Sequence, residues 1–572
     1  SVRAAGGWLV PWFEADQVTL LDAQGQEVLR LPRVQVALSP LGVMRSKLDQ
    51  LVIDQPELDV RRDAQGHVWV AGVDVSAGEG DNSAAMDWLF AQPEWVVRQG
   101  RMTWRDALNP NASPLSLSSL EWVMQNGWHS HKFEFKATPP ALLAQPVAVK
   151  AMFNQGWFNR AGDTRTWQGQ VYADVPRIDM KALREWVTDI SPHLSVQEGL
   201  GGLRMWADID DGQLTGVVAD VALDTLQVQL AQAPQALRIK RMAGRLGARW
   251  GDGDLEVSSK DLVFDTEQGE HWPGGELRVS WRADDFSKGS VYVDRLDLQA
   301  LSQVSQRLIL PEAWRNVLTQ AQPQGQVHQL NANWHITGQG AEAKVNYNAK
   351  GKVSQLRWLR DESLGAIWSR LPGVDGANLE FDITQQGGKA RLAFHQGSLT
   401  LPLGLEDPKL LLDDAFAIFS WHQKEDGHLA VQVHQGRVTN EDAQGEFSGT
   451  WHTGDEGARL PGVLDLTASL TRIKATRVHR YLPDVLSEDV RHYVAESVKD
   501  GTGSQVKLRL RGNLNDMPFE DPSKGEFRVS AKVTNGVYAY APAGKAKPED
   551  VWPALTEVNG ELVFERAAMQ FK

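Results

Sequence analysis

Residues 506–512 read Val-Lys-Leu-Arg-Leu-Arg-Gly, and this unbroken alternation of apolar and cationic residues constrains the fold more than any other stretch. Successive side chains of a β-strand point to opposite faces, so Val506, Leu508 and Leu510 share one face while the three cations share the other. A helix would scatter the same residues around its axis. The stretch therefore predicts a strand in a sheet that has one face in water and one apolar face.

What covers the apolar face decides the class of protein. One interpretation is an ordinary core, in which a second sheet packs on this face as in a β-sandwich. The other is a surface reserved for a molecule that is not protein. The alternation by itself favours the sandwich core, because two sheets packed face to face are a common arrangement for such strands.

The composition restricts the class further. A chain of 572 residues is too long for one compact domain, so we expect several domains or one repetitive, elongated protein. The formal net charge of -14 argues against a general affinity for nucleic acid. Cysteine is absent, which excludes disulfides, thiolate metal sites and a cysteine nucleophile. The sequence starts at Ser1 and has no apolar run long enough to span a bilayer, and we expect it to be part of a longer protein.

Short alternating segments separated by turn residues run along most of the chain and predict a mainly β, antiparallel fold. Residues 63–66 (Asp-Ala-Gln-Gly) indicate a hairpin turn, and Gln99-Gly100 is predicted to turn the chain between two strands. The long run 217–230 alternates with an expected bulge near Thr225. The main predicted strands are 34–38, 51–53, 58–60, 68–70, 95–97, 102–104, 116–122, 132–137, 147–153, 167–173, 203–209, 217–230, 255–264, 276–281, 291–298 and 561–564.

Four segments carry helical signals. Residues 84–90 are predicted to form a short helix, and Asp179 is predicted to cap a helix that continues to residue 190, with Met180, Leu183, Val187 and Ile190 at helical spacing. A third helical zone covers 301–320 and is interrupted by Pro311.

The fourth predicted helix, 487–499, has Ser487 as its N-cap and Gly501 as its stop signal. Its apolar stripe has two interpretations. The stripe either plugs or gates an apolar trough or, as is more usual for such a stripe, caps a core. The residues of the stripe are Val490, Tyr493, Val494 and Val498.

Proline landmarks recur along the chain. Leu310-Pro311 and Leu482-Pro483 each open a helical zone, whereas Leu371-Pro372 and Trp552-Pro553 each precede a further strand. Corresponding landmarks are separated by roughly 170–185 residues, which is much longer than the ~20–50 residues of an ordinary solenoid repeat. It suits a continuous sheet that a crossing segment interrupts at intervals.

These landmarks together resemble the YhdP family, large AsmA-like proteins of Gram-negative envelopes. The resemblance is carried by the two Leu-Pro helical zones, the stretch 552–556 with its strand 561–564, and the segment 179–186. It implies an elongated, twisted, repeating antiparallel β-groove with a few short crossing helices. The implied segments are N-terminal AsmA-like strands at 1–80, a first groove segment with a short helix at 81–177, a second groove segment at 178–307, a repeat unit with a helical crossing at 308–478 and a truncated repeat unit at 479–572.

The resemblance also implies a function, namely non-enzymatic transport of phospholipid between the inner and outer membranes. The implied place is the periplasmic region of a protein that an N-terminal helix outside this sequence anchors in the inner membrane. A C-terminal part outside this sequence would contact outer-membrane components. The resemblance supplies no catalytic residue, metal or cofactor.

Alternating apolar residues are the candidates for the lining of such a groove. They come from the strands with the clearest alternation, in the runs near residues 221, 291, 506 and 562. The candidates are Val221, Leu223, Val228, Leu230, Val291, Val293, Val506, Leu508, Leu510, Leu562 and Phe564.

No motif points to chemistry. Neither a P-loop nor an HExxH zinc signature occurs. His129 and His131 could share one strand face and hold a metal, but no third ligand is evident and we expect an exposed pair. Acidic pairs such as Asp252 and Asp254 are predicted to lie in solvated turns. Two other classes stay open: a structural or adhesive β-rich envelope protein with a closed core, and a polysaccharide-active β-helix enzyme, for which the sequence shows no acidic cluster.

Overall fold

The computed structural model divides the chain into two compact units, 1–285 with 306–310 (unit 1) and 286–305 with 311–572 (unit 2). The structure describes residues 2–7, 10–21, 27–38, 47–70, 73–74, 82–110, 112–141, 145–183, 186, 194–230, 233–282, 285–308, 310, 312–338, 344–358, 372–401, 407–423, 427–454, 461–482, 487–542, 552–566 and 568–572.

Unit 1 is built from strands numbered here in chain order. They are β1 (Val2–Gly7), β2 (Val10–Leu21), β3 (Glu27–Ala37), β4 (Gln50–Asp54), β5 (Glu57–Arg62), β6 (Val68–Val70), β7 (Val73–Asp74), β8 (Glu94–Asp106), β9 (Leu115–Asn126), β10 (Ser130–Thr138), β11 (Val147–Asn154), β12 (Gln168–Asp179), β13 (Leu194–Asp210), β14 (Gln213–Leu230), β15 (Leu237–Gly251), β16 (Asp254–Thr266), β17 (His271–Pro273) and β18 (Glu276–Arg282).

Consecutive strands of unit 1 pair antiparallel over most of its sheet. The exception is β8, which pairs parallel with both β4 and β5. The sequence predicted two strands joined by a turn at Gln99-Gly100, and this prediction is wrong. A single strand, β8, continues through these residues. Gln99 has a left-handed conformation, with φ 51°, and the strand bends at this residue.

Unit 2 is also an antiparallel sheet, in which every described strand pairs with the next. Its strands are β19 (Asp285–Asp297), β20 (Gln324–Thr337), β21 (Lys344–Trp358), β22 (Gly373–Thr384), β23 (Gly387–Thr400), β24 (Lys409–Gln423), β25 (Leu429–Thr439), β26 (Ala443–His452), β27 (Val463–Lys474), β28 (Val498–Asn513), β29 (Gly525–Tyr538), β30 (Leu555–Glu565) and β31 (Ala568–Phe571). The predicted fold class, mainly β and antiparallel with a few short helices, is confirmed.

Bulges bend many strands near their middle. At each one an exposed residue with φ between 50° and 58° follows another outward-facing residue, so two consecutive side chains point away from the apolar face. The predicted bulge at Thr225 is confirmed, with φ 52°. Such bulges raise the local twist and bend the strand. The strand residues in this conformation are Gln17, Gln99, Ser119, Thr225, Asp261, Gln329, Gln355, Gln396, Gln505, Asn535 and Glu557.

The helices are short. They are α1 (Asn82–Ala91) and α2 (Met180–Leu183) in unit 1, and α3 (Leu298–Val304), α4 (Glu312–Ala321) and α5 (Glu488–Ser497) in unit 2, with 3-10 turns at Thr164–Thr166, Ser305–Arg307, Ala475–Tyr481 and Leu514–Asp516. The N-caps predicted at Asp179 and Ser487 are confirmed. Asp179 Oδ1 accepts hydrogen bonds from the backbone N–H groups of Lys181 and Ala182, and Ser487 Oγ accepts one from Val490 at 3.4 Å.

The fourth predicted helix needs correction at its end and in the role of its apolar stripe. The helix predicted over 487–499 ends at Ser497, and Val498 begins β28. Val490 and Tyr493 are 46% and 40% exposed, so the stripe they belong to does not cap a core. Val187, Ile190, Pro311, Leu371 and Pro483 lie outside the described residues. Across the described ranges, no helix has the length and apolarity that crossing a bilayer requires.

Candidate apolar binding surface

One apolar residue from every strand of unit 2 stands in a single row across the sheet. Residues directly opposite each other on paired strands point to the same face. The unit 2 row follows these pairings through Leu296, Val327, Val353, Leu379, Leu392, Ala417, Gly436, Phe447, Ala468, Leu508, Val529, Phe564 and Met569. Gly436 belongs to the row through its pairing with Ala417 and Phe447, and the ring of Phe447 lies where a side-chain carbon of residue 436 would stand.

Unit 1 carries a row of the same kind. The unit 1 row runs through Phe13, Val36, Leu51, Trp95, Met124, Phe133, Ala151, Val171, Ala207, Val217, Ala248, Val257 and Val279. A neighbouring row on the same face, from Ala15 through Phe135 to Leu277, is apolar except for Ser259. The apolar face of each unit is defined here by its row.

No second layer fills most of these faces among the described residues. Leu379, Leu508 and Phe564 are only half-buried, and Met569 and Val257 are 53% and 42% exposed. The core of a sandwich would bury such residues almost completely. The chain exposes 34059 Å², whereas two compact units of half its mass would expose about 24,000 Å². Much of the apolar face therefore remains accessible.

The opposite face of the sheet is charged and internally paired. In unit 2, Arg509 forms an ion pair with Asp465, with Nη2 to Oδ2 at 3.2 Å. This hydrogen bond holds the pKa of Asp465 below its usual range. In unit 1, Arg245 Nε donates to Asp220 Oδ1 at 2.6 Å and lowers the pKa of that carboxyl in the same way. Such partly exposed ion pairs suit a surface in water, so the two faces of each sheet are chemically distinct.

The four candidates in β14 lie on the apolar face of unit 1. Val221 and Leu223 follow Val217 at two-residue steps. Val228 and Leu230 are even-numbered and would face the other way in a regular strand. The extra outward residue at the Thr225 bulge returns them to the apolar face, together with Leu226, which is 6% exposed. Sequence reasoning missed Leu226 because the bulge interrupts the alternation.

The candidates of unit 2 share its apolar face. Leu508 and Phe564 are members of the unit 2 row, and Val506, Leu510 and Leu562 stand two residues from them. Val293 and Val291 stand three and five residues before the row residue Leu296, beyond the two consecutive exposed residues Asp294 and Arg295. The partners are Ala332 for Val291, Leu330 for Val293, Leu470 for Val506, Leu466 and Phe527 for Leu510, and Ala531 and Phe571 for Leu562. Val293 and Val506 are buried, at 2% and 4% exposure, and the remainder are half-buried. The lining role of all eleven candidates stays a prediction.

Helix α1 covers part of the apolar face of unit 1. Phe90 packs against Met124 and Trp167, with Trp95, Phe133 and other apolar residues around them. Asp87 fastens the helix to a neighbouring loop, since its carboxylate accepts from Arg160 Nε and from the backbone N–H of Gly162, each at 2.8 Å. The face is therefore closed by the protein itself at β8–β11.

The two histidines do not form the expected exposed pair. His131 is fully buried, stacks on Trp167 with ring centroids 4.3 Å apart, and has Asn126 and Gln155 at its ring nitrogens. Burial lowers the pKa of His131, which favours the neutral imidazole. His129 precedes β10 and contacts Trp157 instead. In the part of the chain that the structure describes, no group of three or more His, Asp or Glu side chains could hold a metal ion.

Comparison with known proteins identifies a family for this sequence. A family model described as YhdP protein matches residues 1–572, the whole of this chain. No curated protein and no solved structure matches it.

Proposed function

Because this chain belongs to the YhdP family of Gram-negative envelope proteins, we propose that it moves phospholipid between the inner and outer membranes without catalysing a reaction. The apolar faces would shield the acyl chains while the headgroups stay in water. The observation that carries the proposal is the unit 2 row, in which one apolar residue from each of β19 to β31 is aligned and most of these residues are only half-buried.

The energetics explain why such a surface is useful. A diacyl lipid with about 30 methylene groups loses roughly 24 kcal/mol on leaving a membrane for water, at ~0.8 kcal/mol per methylene. An apolar face removes most of this penalty along its length. A uniform lining suits transport better than a deep pocket, because a deep free-energy minimum would trap the cargo. Rows that vary only among aliphatic, aromatic and glycine residues provide such uniformity.

The second candidate function is a structural or adhesive envelope protein with a closed core. The packing of α1 on the apolar face of unit 1 favours it locally, since that part of the face is filled by protein. The half-buried residues of the unit 2 row argue against it, because a closed core would bury Leu379, Leu392 and Leu508.

The double variant Leu508→Asp with Leu510→Asp tests the proposal. If lipid occupies the apolar face, the charges can hydrate when lipid is absent, so the fold survives while phospholipid no longer copurifies. We expect mass spectrometry to find phospholipid with the native chain and at least about tenfold less with the variant, because two carboxylates in an apolar site oppose acyl-chain binding.

The control is Lys507→Asp with Lys532→Asp, which places two carboxylates on the opposite face of β28 and β29 and also removes two cations there. It should retain the lipid. Two results would overturn the proposal: native protein that carries no phospholipid, or loss of the folded circular dichroism spectrum in the Leu508/Leu510 variant, which would show that protein fills this face.

A further inference from the structure

Three large aromatic side chains project into water at one edge of unit 1. Phe158 is fully exposed, at 102% relative accessibility, and Trp128 and Trp157 are 84% and 75% exposed. Trp128 lies in the connection between β9 and β10, and the other two lie in the connection between β11 and β12. The ring cluster, defined as Trp128, Trp157 and Phe158, is thus formed by two neighbouring loops.

Local contacts hold these loops in place. His129 lies between the two indoles, with its ring centroid 4.0 Å from Trp157 and 6.0 Å from Trp128. The backbone N–H of Gln155 donates to His129 O at 2.9 Å and joins the two loops. The first turn is closed by Gly127 N–H to Ser130 O at 2.7 Å. The exposure of the rings is therefore a feature of an ordered structure.

The size of the cluster favours a lipid surface over a protein partner. Three aromatic side chains offer on the order of 500 Å², which is less than the ~800 Å² per partner of a stable protein interface. A lipid surface needs no matching contour, and binding to it grows with the apolar area that enters the headgroup region. Tryptophan in particular prefers the boundary between hydrocarbon and water.

The charges around the cluster support the same partner. Residues 127–129 and 155–159 contain no Asp, Glu, Lys or Arg, although the chain as a whole carries -14. The nearest charged side chains of the second loop are paired, Arg160 with Asp87 and Arg165 with Asp163. The ring cluster is an electrically neutral patch on an acidic protein, so neither repulsion nor attraction by lipid headgroups dominates its contact.

We propose that the ring cluster docks unit 1 on a lipid surface by inserting its three aromatic side chains among the headgroups. This inference rests on the exposed rings and not on the transport proposed above. It predicts a contact that depends on apolar area and hardly on lipid charge or salt.

The test is flotation of the full chain with phosphatidylcholine vesicles, at low and high salt. We expect the native chain to float with the vesicles under both conditions. The triple variant Trp128→Ser, Trp157→Ser and Phe158→Ser should lose about tenfold or more of the bound fraction, because binding scales with the inserted apolar area. All three side chains are exposed, so the circular dichroism spectrum should not change.

The matched control is Trp552→Ser, which removes a 63% exposed indole from unit 2 and should leave flotation unchanged. Equal flotation of the triple variant would overturn the proposal. So would binding that requires anionic lipid and disappears in salt, or binding to purified cell-wall glycan in place of vesicles. The Leu508/Leu510 variant should still float, which separates failure of this inference from failure of the transport proposal.

Discussion

Gln505 shows how a single bulge residue keeps the apolar side chains of both halves of a strand on one face of the sheet. It adopts φ 52° in the middle of β28, and its side chain is exposed. Ser504 and Gln505 both point away from the apolar face, so Gly503 on one side and Val506 on the other face inwards together. Without the extra residue, the strict two-residue period would send one half of the strand to the wrong face. Glutamine recurs at this position, at Gln17, Gln99, Gln329, Gln355 and Gln396.

Substitutions of Gln505 should distinguish the contribution of its backbone conformation to the free energy of unfolding from that of its side chain. The left-handed region is unfavourable by roughly 1–2 kcal/mol for an ordinary residue and is free for glycine, while glycine gains entropy in the unfolded chain. We expect Gln505→Gly to change the free energy of unfolding by between zero and about 1 kcal/mol in the stabilising direction. Gln505→Val should destabilise by about 1–2 kcal/mol, because a branched side chain is strained there. Urea unfolding of unit 2 measures both.

Deletion of Gln505 is the sharper comparison. It should be far more damaging than either substitution, because it exchanges the faces of one half of β28. A deletion variant as stable as the native chain would show that the bulge does not set the register.

At the scale of elements, the 3-10 helix Ala475–Tyr481 is fastened to unit 2 by a polar cluster. Arg480 Nη1 donates to Asp442 Oδ2 at 2.7 Å, and Arg480 Nη2 donates to Asp407 Oδ2 at 2.7 Å. Tyr481 adds a hydrogen bond to Asp442 at 3.1 Å. The Asp442 side chain is 4% exposed, so its oxygens rely on these partners for hydrogen bonds that water cannot supply.

Arg480→Met should loosen this helix. Removing the guanidinium leaves the buried Asp442 carboxylate short of a partner, which we expect to cost about 2–3 kcal/mol, somewhat less than a fully buried pair because Arg477 lies 3.7 Å away. Hydrogen exchange across 475–482 should accelerate. Lys474→Met, which removes a pair with the exposed Glu441, is the control and should leave the free energy of unfolding nearly unchanged, because water screens an exposed pair.

The effect should also depend on pH. The hydrogen bond from Arg480 holds the pKa of Asp407 below its usual range. A carboxyl whose pKa is lowered by folding stabilises the folded state above its unfolded pKa, and this contribution is lost as the pH falls through the lowered value. The difference between native chain and variant should therefore be largest near neutral pH and shrink in acid. A difference that grows in acid would contradict this assignment.

At the scale of the whole molecule, both units present an apolar face of the same construction. Since the chain has no cysteine, single cysteines can report on each face. Val171→Cys lies in the unit 1 row and Val529→Cys in the unit 2 row, whereas Gln170→Cys and Lys532→Cys lie on the opposite faces. We expect phospholipid to slow labelling by a water-soluble maleimide severalfold at the first two positions and at neither control, because acyl chains exclude water from the surface they cover.

Equal slowing at all four positions would mean that lipid does not distinguish the faces. Protection at Val529→Cys alone would limit the transport surface to unit 2. That outcome is consistent with the closure of part of the unit 1 face by α1.

Local sequence patterns predicted most strands correctly. The alternation at 506–512 lies within β28, and the runs at 147–153 and 276–281 lie within β11 and β18. The candidate lining residues were predicted from the same signal, because a two-residue period is visible in one segment at a time. The N-caps at Asp179 and Ser487 were equally local signals. The turn predicted at Gln99-Gly100 failed, since a bulge and a turn use the same polar residues and only pairing with β4, β5 and β9 distinguishes them.

The sequence by itself determined that this chain forms strands with one apolar and one charged face, because strand geometry alone assigns each side chain to a face. Only the tertiary structure decided which residues stand side by side, since the rows depend on the register between strands. It also decided where α1 closes the apolar face and where that face stays open. Register and coverage arise from contacts between distant segments, and no local period encodes them.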